Sequence, residues 1–443
     1  MAVWSLLLSD VFGMDFKFFR KDSKKDSGLT EAPLNYWEES SVLIAVPRSG
    51  AVLLSADIFD RVEAIAGVNI LDSRMPDEDG PGKIELAYDG EIYEIIFYPN
   101  DFHLPDMLSR QGYYFTEEEM EVIAKAGSAM TLMMDFGQDC RKSYHLQLMV
   151  AKAIVPDLVA ILDESAERLV SGRWVALATE SAVPPSATAL FTVQAVCESD
   201  DAIWLHTHGL NRCGLYELEI LNSDKQVYSE HHHLINTFAS VILDRESKVD
   251  PGEGVRIGMF SNGDPIVATY VSWVRALREY DNLDLGGVSD RRESHNSRTA
   301  PIFLYLSEKD EQHHAYSKIT DFTERWSDNP LFFISTKETD RMRALAQERF
   351  GIVRYMAEKG CPTLLKVGLK TDSGHSDDNL EHIWFELIEF DGEKFSARLT
   401  QEPYDISGMH EGDVGTFTAD QVTDWIIYAD DNGITPETAY LLI

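Results

Sequence analysis

Three dipeptides constrain this chain most: Asp89-Gly90, Asn262-Gly263 and Asp391-Gly392, each set between two short runs of strand-like residues. Both positions of such a turn tolerate positive φ, so the backbone can reverse within two residues and the flanking runs pair as antiparallel hairpins. Segments at helical period lie before and between them. In "SADIFDRVEAIAG" Ser55 can cap a helix that carries Ile58, Phe59, Val62 and Ile65 on one side and stops at Gly67. "TEEEMEVIAKAG" opens on a capping box of Thr116 and Glu119. Hairpins interleaved with helices predict an α+β fold, a mixed sheet-and-helix body, over a doubly wound parallel sheet.

The same reading divides the chain. Residues 1–41 are expected as a flexible tail, 42–310 as the α+β body, 311–360 as a helical connector and 361–443 as a small strand-rich domain. Within the body, "SVLIAVP" and "AMTLMMDFG" read as strands, "YHLQLMVAKAIVPDLVAILDES" as a helix interrupted near Pro156, and "LINTFASVIL" as a helix. "DRESKVDPGEG" and "DLGGVSDRRESHNSRT" read as surface loops. "KETDRMRALAQERFGIVRYMAEKG" reads as one long helix stopped by Gly360. After it come five or so short strands, which predict a curled sheet or SH3-like barrel with its own core of Trp384, Phe385, Leu387, Phe395, Leu399 and Trp425.

Composition narrows the function. The chain of 443 residues holds 75 acidic against 39 basic side chains, a formal net charge of −36. Such a surface repels phosphate backbones, so no nucleic acid partner is expected, while a basic protein partner would be drawn in at long range. A generally acidic proteome is the alternative source of the charge. No apolar run approaches the roughly 20 residues that cross a bilayer, and the opening "MAVWSLLLSDVFGM" has no basic residue ahead of its short apolar stretch, so neither membrane span nor signal peptide is expected. Cys140, Cys197, Cys213 and Cys361 form no C-x-x-C pair and no disulfide framework, which fits a reducing cytoplasm. Nothing bears on oligomeric state.

The densest chemical signal is "IWLHTHGLNRCGLYELE", residues 203–219. On a strand, Trp204, His206 and His208 share one face, and two imidazoles two residues apart are half of a zinc site. Cys213, Glu217 and His231 to His233 are the candidates to complete it. His231 falls on the apolar stripe of its helix, near the N-terminal end, where the dipole favours the neutral imidazole a metal binds. Against this, no H-E-x-x-H, facial triad or C-x-x-C accompanies the pair, and histidines beside a sharp turn commonly bond backbone carbonyls. No metal and no cofactor are therefore expected. Cys213 beside His206 or His208 could also act as a nucleophile–base pair if a third group oriented them. In the C-terminal block, Asp413, Asp424 and Trp425 are the candidates, with Trp425 expected on a short helix with Val422 and Ile426.

"HIWFELIEFDGEKFSARLTQEP" and "GMHEGDVGTFTADQVTDWII" resemble the bacterial domain of unknown function 2314, through Trp384, Gly392, Gly412, Asp413, Asp424 and Trp425. "WLHTHGLNRCGLYELEIL" and "HHHLINTFASVIL" resemble its companion, domain of unknown function 4026. The resemblance implies architecture, a bacterial origin and an immunity or accessory role, with no activity to carry over. Two functions follow for testing: a non-enzymatic interaction module that binds a basic partner, and a metal-dependent hydrolase centred on His206 and His208. A small-ligand sensor between domains is a third.

Overall fold

A computed structural model describes residues 16–17, 39–52, 54–105, 113–199, 202–280, 283, 285–287, 290, 299–373, 380–429 and 432–442. The chain divides into two units, Met1–Val175 with Pro185–Ser335, and Ala176–Pro184 with Thr336–Ile443. Both mix helices with sheets, as an α+β protein does. Among the described residues no helix is long and apolar enough to cross a membrane. Phe16 and Lys17, in the segment expected as a tail, form a two-residue strand, β1 (Phe16–Lys17), that pairs in parallel with Ala195 and Val196. Most of the loop around 281–298 lies outside the described residues.

The first unit holds two sheets. One consists of β2 (Ser41–Pro47), β3 (Asn69–Arg74), β4 (Gly82–Tyr88), β5 (Glu91–Asp101), β6 (Ser128–Met134), β7 (Leu158–Asp163) and β8 (Arg168–Ser171), in the order β3-β4-β5-β6-β2-β7-β8. Every pair in it is antiparallel. The Asp89-Gly90 turn sits where expected: φ is 49° and 84°, and Tyr88 pairs with Glu91. The helices α1 (Ile58–Glu63), α2 (Glu117–Lys125) and α3 (Cys140–Ile154) accompany this sheet. The capping box at α2 is complete, with the Glu119 N–H donating to Thr116 Oγ1 at 3.1 Å and the Thr116 N–H donating to Glu119 Oε2 at 2.8 Å. At α1 the N-cap is Asp57 rather than Ser55.

One expectation fails at Pro156. The helix does not resume beyond it: α3 ends at Ile154, Val155 leaves helical geometry (φ −120°, ψ 80°), and residues 158–163 become β7. Proline biases the residue before it away from helical geometry. The run that follows is buried on both faces from Val159 to Asp163, so it shows no alternation by which a strand could be recognised.

Helix α4 (Gly172–Glu180) leads to the second sheet. This sheet contains β9 (Thr192–Ser199), β10 (Ala202–His208), β11 (Glu217–Ser223), β12 (Val255–Met259), β13 (Pro265–Tyr270), β14 (Thr299–Tyr305), β15 (Ser317–Lys318) and β16 (Leu331–Phe332). Its order is β1-β9-β10-β11-β14-β13-β12-β16, with β15 beside β14. The 17-residue α5 (Tyr228–Asp244) buries Leu234, Ile235 and Phe238 at helical spacing.

The second unit is a six-stranded antiparallel sheet of β17 (Thr363–Lys370), β18 (Leu380–Asp391), β19 (Lys394–Leu399), β20 (Val414–Thr418), β21 (Val422–Ala429) and β22 (Asn432–Ile434), ordered β20-β19-β18-β17-β21-β22. The expected single long helix is two, α6 (Thr336–Glu348) and α7 (Phe350–Glu358), broken at Arg349 (φ −90°, ψ 8°). The two helices lie over one face of the sheet, where Ala346, Phe350, Val353 and Met356 meet Leu365, Val367, Phe385, Phe395 and Trp425. Trp384 is not part of this core. It alternates to the outer face, with the Lys366 ammonium 5.3 Å above its ring.

Candidate functional site

β10 presents its histidines as expected. The rings of Trp204 and His206 lie 4.4 Å apart and those of His206 and His208 4.9 Å apart, a continuous aromatic ladder along one face. Register sets Gln194 of β9 and Glu219 of β11 on either side of His206. Glu167, at φ 48° in the tight turn between β7 and β8, accepts from Gln194 Nε2 at 2.9 Å and stands 3.4 Å from His208 Nδ1. Trp204 and His206 are buried, so the ladder is largely packed into the protein.

The turn after β10 is organised by Glu217. Its buried carboxylate accepts from Thr207 Oγ1 (2.7 Å), the Gly209 N–H (2.8 Å) and the Asn211 N–H (3.0 Å). Burial raises its pKa, and the Thr207 hydroxyl and the two backbone donors oppose that rise. Gly209 holds φ at 112°, and a Cβ there would lie 2.4 Å from the Leu190 carbonyl, so the turn requires glycine. Glu217 is thus committed to its own loop.

Cys213 and His231 go elsewhere. The Cys213 thiol bonds that of Cys140 at the start of α3. His231 is fully buried, its Nδ1 2.8 Å from Ser223 Oγ and its ring edge-on to Trp326. The four residues His206, His208, Cys213 and His231 do not gather at one point. Among the described residues no group of three His, Cys, Asp or Glu side chains is placed to hold a metal ion.

Burial drives His231 down to about 3, and burial followed by the neighbouring His233 drives His232 down to about 4. A histidine depressed in the folded state destabilises as pH falls, because the unfolded chain takes up a proton below 6.5 that the folded chain refuses until about 3. Between pH 7 and pH 5 this linkage at His231 is expected to remove about 2 kcal/mol. Urea unfolding at both pH values, with His231→Gln as the reference, checks it: the parent should lose about 2 kcal/mol more than the variant. Equal losses would reject the assignment.

A buried ionic cluster that the sequence did not announce joins the two sheets of the first unit. Arg212, from the turn after β10, donates to both oxygens of Asp163 at the end of β7 (2.8 and 3.0 Å), to Ser41 Oγ of β2 (3.1 Å) and to the Leu190 carbonyl (2.6 Å). Its guanidinium lies 4.8 Å from the Tyr144 ring centre, and the Tyr144 hydroxyl also donates to Asp163. Burial alone would pull the guanidinium down, and Asp163 with Tyr144 holds it above its ordinary value. Arg168 lies 3.7 Å from Asp163 and donates to the carbonyls of Thr188, Ala189 and Phe191. A second buried pair, Arg141 with Asp244, links α3 to α5, and Ser335 also donates to Asp244.

At the other end of the first sheet, Leu54, Pro76, Pro81, Tyr98 and Pro99 line a shallow apolar hollow of 720 Å³, to which Asp77, Glu78 and Gly80 also contribute. Asp77 and Glu78 are exposed, and so is Leu54, at 40%. Scattered prolines and one tyrosine, far apart in sequence, offered no periodic signal for this surface.

In the second unit the candidates separate. Trp425 lies on the strand β21, not on a helix, and is wholly buried with its Nε1–H donating to the Ala346 carbonyl of α6 at 3.0 Å. Asp424 alternates to the outer face opposite Lys366, which also pairs with Trp384 across β17, so Trp384, Lys366 and Asp424 form one cross-strand row. Burial raises the Asp424 carboxyl, opposed by the Trp425 N–H and Lys366. Asp413 is exposed in the turn before β20, where it accepts from the His410 N–H at 2.8 Å.

Family comparison matches the same divisions. The model described as "Protein of unknown function (DUF4026) N-terminal" covers residues 41–185, and its C-terminal counterpart covers 193–303. "Uncharacterized protein conserved in bacteria (DUF2314)" covers 342–439. No curated protein and no solved structure matches the chain. The Arg212–Asp163 clamp joins the two DUF4026 parts, and the α6–α7 pair with the curled sheet accounts for the third match. The chain belongs to the DUF4026 family, whose N- and C-terminal parts it carries in succession, followed by a DUF2314 domain.

Proposed function

We propose that this protein is a non-enzymatic interaction module that captures a basic protein partner, the act an immunity or accessory factor performs. The observation that carries the reading is the formal net charge of −36, a field that accelerates encounter with a cationic protein and repels nucleic acid. The hollow at Leu54, Pro76, Pro81, Tyr98 and Pro99 offers such a partner an apolar seat beside two exposed carboxylates, Asp77 and Glu78. A Lys- or Arg-bearing segment with one apolar anchor complements both. Rim charges act on the association rate, whereas the apolar seat sets residence time.

Capture from a bacterial lysate at low and at physiological ionic strength tests the reading. Proteins retained at low salt should be basic, and the association rate of the purified partner should fall steeply as the Debye length shrinks from about 30 Å at 0.01 M to about 8 Å at 0.15 M. Asp77→Lys with Glu78→Lys should slow association, and Leu54→Asp should speed dissociation. Retention of acidic and basic proteins alike, or rates indifferent to salt, would remove the basis of the proposal.

A further inference from the structure

Cys140 and Cys213 lie 73 residues apart in sequence and on different parts of the family architecture, yet their thiols share a hydrogen bond. Cys140 is the first residue of α3, and Cys213 closes the short helical turn Asn211–Cys213. The Arg212 ring contacts bring the same two segments together. Its guanidinium lies 4.8 Å from the centre of Tyr144, four residues after Cys140, and 5.6 Å from that of Phe136, four residues before it. Cys140, the residue that meets the oxidant, is only partly buried, and neither cysteine is in a disulfide.

We propose that Cys140 and Cys213 are a modification site: under a hydroperoxide they close an intramolecular disulfide that ties α3 to the turn after β10. The chemistry needs one thiolate to attack and one thiol to resolve. Cys140 is the attacker. It occupies the N-terminus of a 15-residue helix, where the dipole favours the anion. The Cys213 thiol donates to it and lowers its pKa, and Arg212 and Lys248 help, while burial and Asp139 oppose. Cys213 is held well above the ordinary value by burial first and by that same hydrogen bond. The Cys140 thiol gives up its proton, its thiolate attacks a peroxide oxygen, the O–O bond breaks, and Cys140 becomes a sulfenic acid while the departing hydroxide takes up that proton as water. The Cys213 sulfur then attacks the Cys140 sulfur, the S–O bond breaks, and the hydroxide leaves with the Cys213 proton as a second water. Two thiols and one hydrogen peroxide thus give one disulfide and two waters.

The consequence is mechanical. Cys213 follows Arg212 and Cys140 precedes Arg141, two arginines that carry buried ion pairs in the first unit. The disulfide would add a covalent tie where those pairs already act, and a dithiol reductant would release it.

Hydrogen peroxide treatment of the full chain, followed by alkylation and trypsin digestion without reduction, reads the outcome directly. The four titratable thiols should fall to two, the peptide ending at Arg141 should emerge linked to the peptide beginning at Cys213, the melting temperature should rise, and dithiothreitol should reverse all three. In Cys213→Ser the sulfenic acid should persist on Cys140 and react with dimedone, whereas Cys140→Ser should leave Cys213 unlabelled. Recovery of both peptides as separately alkylated thiols, or linkage of either to Cys197 or Cys361, would overturn the proposal. The parent measurement requires no variant to fold.

Discussion

Replacing Arg212 with methionine is expected to destabilise the first unit by about 3–5 kcal/mol, the cost of leaving a buried charge without its partner. Methionine keeps much of the volume, so the loss is electrostatic rather than a cavity. It strands Asp163, which is wholly buried and would keep only the Tyr144 hydroxyl, the Ala166 N–H and the more distant Arg168. Arg168 compensates poorly because its two terminal nitrogens are already committed to the carbonyls of Thr188, Ala189 and Phe191. Arg212→Met also frees the Leu190 carbonyl and Ser41, so the effect reaches β2 and the segment entering β9.

Urea unfolding followed by far-UV circular dichroism measures the change. Arg61→Met provides the reference, since Arg61 pairs with an exposed Asp57 and donates to the Ala153 carbonyl but leaves no buried charge behind when removed. The double variant Arg212→Met with Asp163→Leu should recover much of the loss, because a buried ion pair and an apolar pair of like size are often nearly equal in stability. Should Arg212→Met cost no more than Arg61→Met, the clamp between the two sheets does not hold them.

The parts of the fold that local chemistry dictates could be read in advance. Asp89-Gly90, the Thr116–Glu119 box and Gly360 each act within a few residues, and each is where the pattern placed it. The shared face of Trp204, His206 and His208 follows from strand alternation alone. What escaped was set by partners distant in sequence. Arg212 meets Ser41 across 171 positions and Asp163 across 49, and no local pattern distinguishes it from a surface arginine. The histidines illustrate the same limit. Their spacing permits half of a metal site, while what surrounds them comes from residues distant in sequence: Glu167 stands beside His208, and Ser223 and Trp326 flank His231. Pro156 and Trp425 failed for another reason. The buried run 158–163 lacks the exposed polar positions that separate strand period from helix period, and in 422–427 Asp424 is the one charge on the outer face, too few alternations to exclude the helical spacing of Val422, Trp425 and Ile426.

Trp425→Ala should be the costliest single change in the second unit, about 3–5 kcal/mol for removing a wholly buried tryptophan. The ring fills the space between the sheet and α6, and its Nε1–H satisfies the Ala346 carbonyl. Trp425→Phe should lose less, about 1–2 kcal/mol for the missing hydrogen bond and the reduced volume. The strand assignment adds a sharper test through its neighbours. On β21 the side chains of Trp425 and Ile427 point inward and that of Ile426 outward, so Ile427→Ala should cost about 2–5 kcal/mol and Ile426→Ala far less. A helix would reverse the comparison, since Val422 and Ile426 would then share the buried face with Trp425. Hydrogen exchange of the β17 amides, which pair with β21, reports the loss without relying on tryptophan fluorescence. Equal protection in Ile426→Ala and Ile427→Ala would mean that this strand does not carry the core of its unit.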